Sequence, residues 1–113
     1  MTPFAAYYKE RFGWSTLERD GGFIVFDLKP PNASIEEFFV PEEKRCTRLA
    51  KSLADDVFAV AESAGVNTMW AKVTPGTNGA EHALRTNLHY GFKLAGVRDG
   101  AIILVKDIGG SNG

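Results

Sequence analysis

Residues 38–53, FFVPEEKRCTRLAKSL, are the stretch that decides the fold. An apolar, strand-like run ends at Pro41, charged residues follow in quick succession, and an amphipathic helix pattern then begins. Four cations lie where this helix starts, although the helix dipole favours negative charge at that end: Lys44, Arg45, Arg48 and Lys51. Either these cations form a solvated turn paired with Glu42 and Glu43, or they border a site for an anion.

The composition is that of an ordinary globular domain, and we expect one domain over residues 1–113 with a frayed glycine-rich tail at 109–113. A net charge of -1 argues against broad nucleic-acid binding. The single cysteine, Cys46, excludes an internal disulfide. No apolar run has membrane-spanning length and no signal-peptide pattern is present, so we expect a cytoplasmic protein that binds neither membrane nor nucleic acid.

Capping and turn residues divide the first third of the chain. Thr2 as N-cap, Pro3 in the first turn and Gly13 as the stop predict a short helix over residues 3–12. The turn Asp20-Gly21-Gly22 between two β-rich runs predicts a hairpin. A third strand, SIEEFFV, follows the break at PPNA.

Helical spacing then alternates with strand patterns. Apolar positions from Leu49 to Ala64 predict a helix that ends at Gly65, and NTMWAKV predicts a strand. Asn78 and Glu81 resemble a capping box that opens a second helix ending at Gly91, and two further strands form a closing hairpin. The order α-β-β-β-α-β-α-β-β predicts a mixed α/β fold.

The order and three sequence pieces resemble the GNAT superfamily of N-acetyltransferases over roughly residues 14–108. IEEFFVPEEKR (35–45) is similar to the family's fourth strand and its exit. RCTRLAKSL (45–53) occupies the place of the Arg/Gln-x-x-Gly-x-Gly/Ala loop, and AEHALRTNLHYGF (80–92) looks like the last helix with its Gly-Phe end. The resemblance implies a central, mostly antiparallel sheet with splayed middle strands and helices on both faces.

The same resemblance implies acetyl-CoA as cofactor. In the family, the loop binds the coenzyme A pyrophosphate through backbone amides, and the strand exit holds the pantetheine arm. Arg45 matches the first loop position, but Arg48 stands where the family has glycine. The residues implied to bind the cofactor are Phe39, Val40, Arg45, Cys46, Thr47, Arg48, Leu49, Ala50, Asn78 and Asn87.

The catalytic residues are less clearly marked. Family members often use a tyrosine acid at the position of Asn87, which cannot serve as an acid. Tyr90 is a candidate replacement, with half-buried packing as the alternative. Glu36 and Glu37 are candidate bases, and strand alternation predicts that at most one faces the acetyl slot. Lys72 stands where some members have a glutamate base.

The resemblance therefore implies an N-acetyltransferase that acts on a small-molecule or protein amine. The alternative is a catalytically degenerate GNAT-like protein that binds a protein partner, similar to small phage-encoded GNAT-like proteins. Compared with the family, the N-terminal region is short, so we expect either a short acceptor wall or a homodimer in which a second copy of the chain supplies it. His82 and His89 lack a third ligand pattern, so we expect surface or packing roles and no metal.

Overall fold

The computed structural model describes residues 1–45 and 48–108. Predictions that involve Cys46, Thr47 or the tail at 109–113 lie outside these residues. The elements in chain order are α1 (Pro3–Phe12), β1 (Ser15–Arg19), β2 (Gly22–Lys29), β3 (Asn32–Phe39), a 3-10 turn (Glu42–Lys44), α2 (Leu49–Ser63), β4 (Thr68–Val73), α3 (Ala80–His89), β5 (Lys93–Arg98) and β6 (Ala101–Asp107). The predicted order of helices and strands is confirmed.

The six strands form one sheet in the order β1-β2-β3-β4-β6-β5. Every neighbouring pair is antiparallel except β3 and β4, which are parallel because α2 forms the crossover between them. The predicted mixed, mostly antiparallel sheet is confirmed. In the part of the chain that the structure describes, no helix is long and apolar enough to cross a membrane.

Helices pack on both faces of the sheet, as predicted. On the face that we call the helix face, α2 buries Leu53 and Val57 against Ile24 and Phe26 of β2. Gly22 permits this close approach, because a Cβ there would lie 3.0 Å from the Phe39 carbonyl oxygen and 3.2 Å from methyl groups of two leucines of α2.

The opposite face, which we call the open face, carries α1 at one end. The ring centroids of Phe4 in α1 and Phe23 in β2 are 4.6 Å apart. Phe23 lies on the open face because it alternates with the helix-face residues Gly22 and Ile24. The helix is capped as predicted, since Thr2 Oγ1 accepts from the Ala5 amide at 3.1 Å and Gly13 adopts a φ of 75°.

A β-bulge in β3 overturns one prediction from strand alternation. Val25 pairs with Glu37, whereas Phe26 pairs with Ile35, so Glu36 is the extra residue. Ser34 pairs with Asp27 and therefore shares the open face with Glu37, and the Ser34 hydroxyl donates to the Glu36 carboxylate. Glu36 and Glu37 consequently lie on the same face, and the prediction that they alternate was wrong.

The parallel strands β3 and β4 diverge before they end. Their pairing begins at Asn32–Thr68 and stops at Ile35–Ala71, although β3 continues to Phe39 and β4 to Val73. The predicted splay of the middle strands is confirmed. We call the space beyond the last pair the β3–β4 gap.

The start of α3 differs from the prediction. Gly79, with a φ of 84°, is the N-cap, and no side chain caps the helix. Glu81 pairs with Arg85 at 2.6 Å instead of closing a capping box with Asn78. The capping-box prediction was wrong because the chain turns at Gly79, one residue later than the sequence pattern indicates.

Candidate functional site

A cleft of about 250 Å³ lies at the β3–β4 gap and is lined by residues of both faces of the sheet. It lies between the exit of β3, the beginning of α2, the end of β4 and α3. Its lining residues are Phe38, Phe39, Val40, Arg45, Ala50, Lys72, Val73, Thr74, Thr77, Asn78, Gly79, Ala80, His82, Ala83, Thr86 and Asn87. The cleft is therefore bordered by elements that are far apart in sequence.

The charged side chains among the described lining residues of the cleft are cationic. Among its described lining residues, Arg45, Lys72 and His82 are ionisable and none is a carboxylate. No group of three His, Cys, Asp or Glu side chains within residues 1–45 and 48–108 is placed to hold a metal ion. The lining favours an anionic ligand that also offers apolar surface to Phe38, Val40 and Ala83.

Arg45 is fixed at the mouth of the cleft. Its Nε donates to the carbonyl oxygen of Val40 at 3.0 Å, which ties the basic turn to the exit of β3. This bond leaves the Nη groups as charge-assisted donors at the cleft. Arg48, by contrast, is the exposed N-cap residue of α2 and does not line the cleft.

One side of α3 forms a wall of the cleft. The N-cap Gly79 lines the cleft, and the lining positions of α3 itself are Ala80, His82, Ala83, Thr86 and Asn87, which share one side of the helix. The amide nitrogen Nδ2 of Asn87 donates to the carbonyl oxygen of Ala83 at 2.9 Å. The sequence analysis missed Thr86 and assigned His82 to the surface or to packing. Helical spacing places both residues on the same side of α3 as Ala83, but it does not show that this side faces a cleft.

The structure brings together six of the residues predicted to bind the cofactor. Phe39, Val40, Arg45, Ala50, Asn78 and Asn87 all line the cleft. Arg48 and Leu49 do not line it, and Cys46 and Thr47 lie outside the described residues. Their roles in binding remain predictions.

The two candidate bases do not line the cleft. Glu36 and Glu37 are on the open face of β3, beside the β3–β4 gap. Across the gap, β4 presents Trp70 and Lys72 on the same face, because Ala71 between them pairs with the core residue Leu104. A molecule reaching the gap from the open face therefore meets carboxylates on one strand and a cation on the other.

Tyr90 does not line the cleft. It follows α3 and packs partly buried against the core, close to the Lys51–Asp55 ion pair of α2. Burial raises the pKa of the Tyr90 phenol above 10.0, the Asp55 carboxylate raises it further, and Lys51 opposes the shift. The structure thus favours the packing alternative for this side chain over a catalytic role.

Titration of the tyrosines tests this environment. We expect the Tyr90 phenol to ionise above pH 10, and the Tyr90→Phe variant identifies its signal. Asp55→Asn should lower the pKa of Tyr90, because the Asp55 carboxylate that repels the phenolate is lost. Between the pKa of Tyr90 in the unfolded chain and its higher pKa in the folded protein, the folded protein binds more protons. The contribution of Tyr90 to stability is therefore lost as the pH rises through the pKa of Tyr90 in the folded protein. Absorbance of the phenolate measures the shift. An ordinary pKa for Tyr90, unchanged in Asp55→Asn, would contradict the packing seen here.

Solved structures provide the comparison that identifies the fold. A protein from Desulfovibrio desulfuricans assigned to the GNAT family of acetyltransferases superposes with a TM-score of 0.73 at 16% identity, covering 91% of this chain and 76% of that one. The ribosomal-protein-S18-alanine N-acetyltransferase of Escherichia coli gives 0.69 at 19% identity, covering 96% and 77%. This chain has the GNAT fold.

A third structure with the GNAT fold, an acetyltransferase of Bacillus subtilis solved in complex with CoA, gives a TM-score of 0.68 at 19% identity, covering 92% of this chain and 82% of that one. A scan against protein-family models and a search of curated proteins gave no match for the sequence. The assignment to the GNAT fold therefore rests on structure. A phage-type origin and a cytoplasmic location remain predictions.

Proposed function

We propose that this protein is an acetyl-CoA-dependent N-acetyltransferase that acts on an amine. The observation that carries the proposal is the cleft at the β3–β4 gap, whose described charged side chains are all cationic. A GNAT-fold neighbour was solved with CoA, a ligand that combines phosphates with a narrow arm that carries amide groups. Arg45 at the mouth suits the phosphates, and the unpaired backbone of β3 beside the apolar lining suits the arm.

Each part of the cleft has a defined role in this proposal. Arg45 contacts phosphate oxygens at the mouth through its Nη donors. Beyond Ile35, the backbone of β3 no longer pairs with β4, so its free N–H and C=O groups bind the amide-rich arm of the cofactor. These contacts place the thioester in the gap, where its carbonyl carbon is reachable from the open face.

The acceptor amine approaches from the open face. Glu36 or Glu37 removes the proton from its nitrogen, directly or through one water, as the new bond to carbon forms. The bulge strengthens this assignment, because it gives the gap two carboxylates on one face instead of one. Positioning of the two reactants supplies most of the rate, since the thioester is already activated.

Calorimetric titration with CoA tests the proposal. We expect micromolar binding, and we expect Arg45→Glu to weaken it by about 10- to 100-fold, because hydrogen bonds to charged groups contribute roughly 1.5–3 kcal/mol each. Arg98→Glu is the matched control. It makes the same change of charge on an exposed residue of β5 that does not line the cleft.

Two results would overturn the cofactor site. One is the absence of wild-type binding at millimolar CoA, and the other is an equal loss of affinity in Arg45→Glu and Arg98→Glu. If CoA affinity falls in Arg45→Glu but not in Arg98→Glu, the next experiment is a screen of amine acceptors, with released thiol as the signal.

One observation favours a second candidate, a GNAT-fold protein that binds a protein partner without catalysis. Asn87 stands where the family often has its acid, and its amide nitrogen is bonded to its own helix. This candidate predicts that the double variant Glu36→Gln, Glu37→Gln still binds CoA or the partner. It also predicts that the wild-type protein releases no thiol from acetyl-CoA with any amine.

A further inference from the structure

Lys72 occupies a distinctive place in the β3–β4 gap. It is the first residue of β4 beyond the last β3–β4 pair, Ile35–Ala71, and its backbone is held on the other side by pairing with Ile103. It lines the cleft and also lies on the open face. The ammonium group therefore borders the point where a ligand in the cleft and a molecule on the open face meet.

Lys72 has no ion-pair partner among the described residues. In residues 1–45 and 48–108, the four ion pairs do not include it, although Glu36 and Glu37 are on the same face of the sheet. The divergence of β3 and β4 keeps the carboxylates and the ammonium on opposite sides of the gap. A lone cation at a gap is an electrostatic site for negative charge that develops there.

The rest of the cleft lacks an acid at this place. Asn87 cannot donate a proton as an acid, and Tyr90 lies beside α2. His82 lines the cleft from the first turn of α3, whereas Lys72 is on β4 directly after the last β3–β4 pair. A thiol leaving group that has no proton donor beside it in the gap departs as an anion.

We propose that Lys72 is a catalytic residue that stabilises the departing thiolate. This inference rests on the proposed acetyl transfer. In that step, the amine nitrogen bonds to the carbonyl carbon and gives its proton to Glu36 or Glu37. The carbon–sulfur bond breaks with both electrons on sulfur, and the Lys72 ammonium holds the thiolate until solvent protonates it. A cation thus replaces the proton donor that the cleft lacks.

The pH dependence of ligand binding tests the role without an acceptor. CoA and desulfo-CoA, which lacks the thiol, are titrated calorimetrically into wild type, Lys72→Met and Lys72→Arg. A cation beside a thiol lowers the pKa of that thiol by about one unit at an accessible site. We therefore expect wild-type affinity for CoA, relative to desulfo-CoA, to rise with pH and to approach a limit of about 10-fold above the pKa of the free CoA thiol.

Lys72→Met should abolish this rise and Lys72→Arg should retain it. Titration of the other ionisable groups at the cleft and gap affects both ligands alike and cancels in the ratio: Glu36, Glu37, Arg45 and His82. Release of thiol from acetyl-CoA with hydroxylamine, a small acceptor that needs no binding pocket, should fall about 10- to 100-fold in Lys72→Met. Lys72 is exposed, so these variants are expected to fold.

The outcomes separate this inference from the proposed function. If neither CoA nor desulfo-CoA binds wild type, the cofactor site itself is wrong. If both bind but Lys72→Met shows the same pH-dependent ratio as wild type, the role of Lys72 is overturned while the cofactor site stands. An equal loss of thiol release in Lys72→Met and Lys72→Arg would also overturn the role of Lys72. Both side chains are of similar length, but only arginine keeps the positive charge on which the proposed role depends.

Discussion

Leu104→Ala is expected to lower the free energy of unfolding by about 2–5 kcal/mol, because it opens a cavity in the core. Leu104 is fully buried on the helix face of β6 and belongs to the cluster that joins the sheet to α2. Domains of this size have a total stability of only about 5–15 kcal/mol, so the variant should be marginally folded at room temperature. Urea denaturation followed by circular dichroism measures the change.

The cross-strand partner of Leu104 provides the matched control. Leu94 pairs directly with Leu104 but is 66% exposed, since β5 is the edge strand. Leu94→Ala removes the same atoms from the same face and should change stability by no more than about 0.5 kcal/mol. Similar losses in the two variants would show that the core does not lie where the structure places it.

Ala83→Trp is expected to abolish CoA binding while the fold remains intact. Ala83 lies on the wall that α3 contributes to the cleft, and an indole ring there would occupy much of a cavity of about 250 Å³. A change from micromolar binding to worse than millimolar corresponds to a loss of more than about 4 kcal/mol of binding free energy. Calorimetry with CoA measures it, and thermal unfolding checks that the variant is folded.

Ala59→Trp is the control for this second prediction. Ala59 is an exposed residue of α2 that does not line the cleft, so the same substitution there should leave CoA affinity unchanged. If Ala83→Trp bound CoA as well as Ala59→Trp, the ligand would have to lie elsewhere on the molecule.

Sequence periodicity was sufficient for the order and type of every helix and strand. The spacing of Leu49, Leu53 and Val57 has one physical cause, burial of one side of a helix, and it predicts α2 without knowledge of its neighbours. Hairpin turns such as Asp20-Gly21 are equally local, because positive φ is required at those residues. The placement of a site at the basic turn came from the resemblance to the GNAT superfamily, which the order of these elements and three sequence pieces support.

Features that depend on neighbouring strands could not be predicted in this way. The bulge at Glu36 is a mismatch in pairing between β2 and β3, and neither glycine nor proline marks it. Strict alternation therefore put Glu36 and Glu37 on opposite faces. The contribution of His82 and Thr86 to the cleft depends on how α3 lies against β4, which helical spacing alone does not fix.

The divergence of β3 and β4 also gives the sheet free edges in its interior. β1 and β5 are its outer edges, and the segment of β3 after Ile35 is an inner edge that faces the segment of β4 after Ala71 without pairing with it. An outer edge invites pairing with another molecule, and proteins protect such edges with charges and bulges. The inner edge is flanked by strands on both sides, so a second sheet cannot approach it. The chain thereby keeps unpaired strand groups in the middle of its sheet without the aggregation hazard that they would carry at its border.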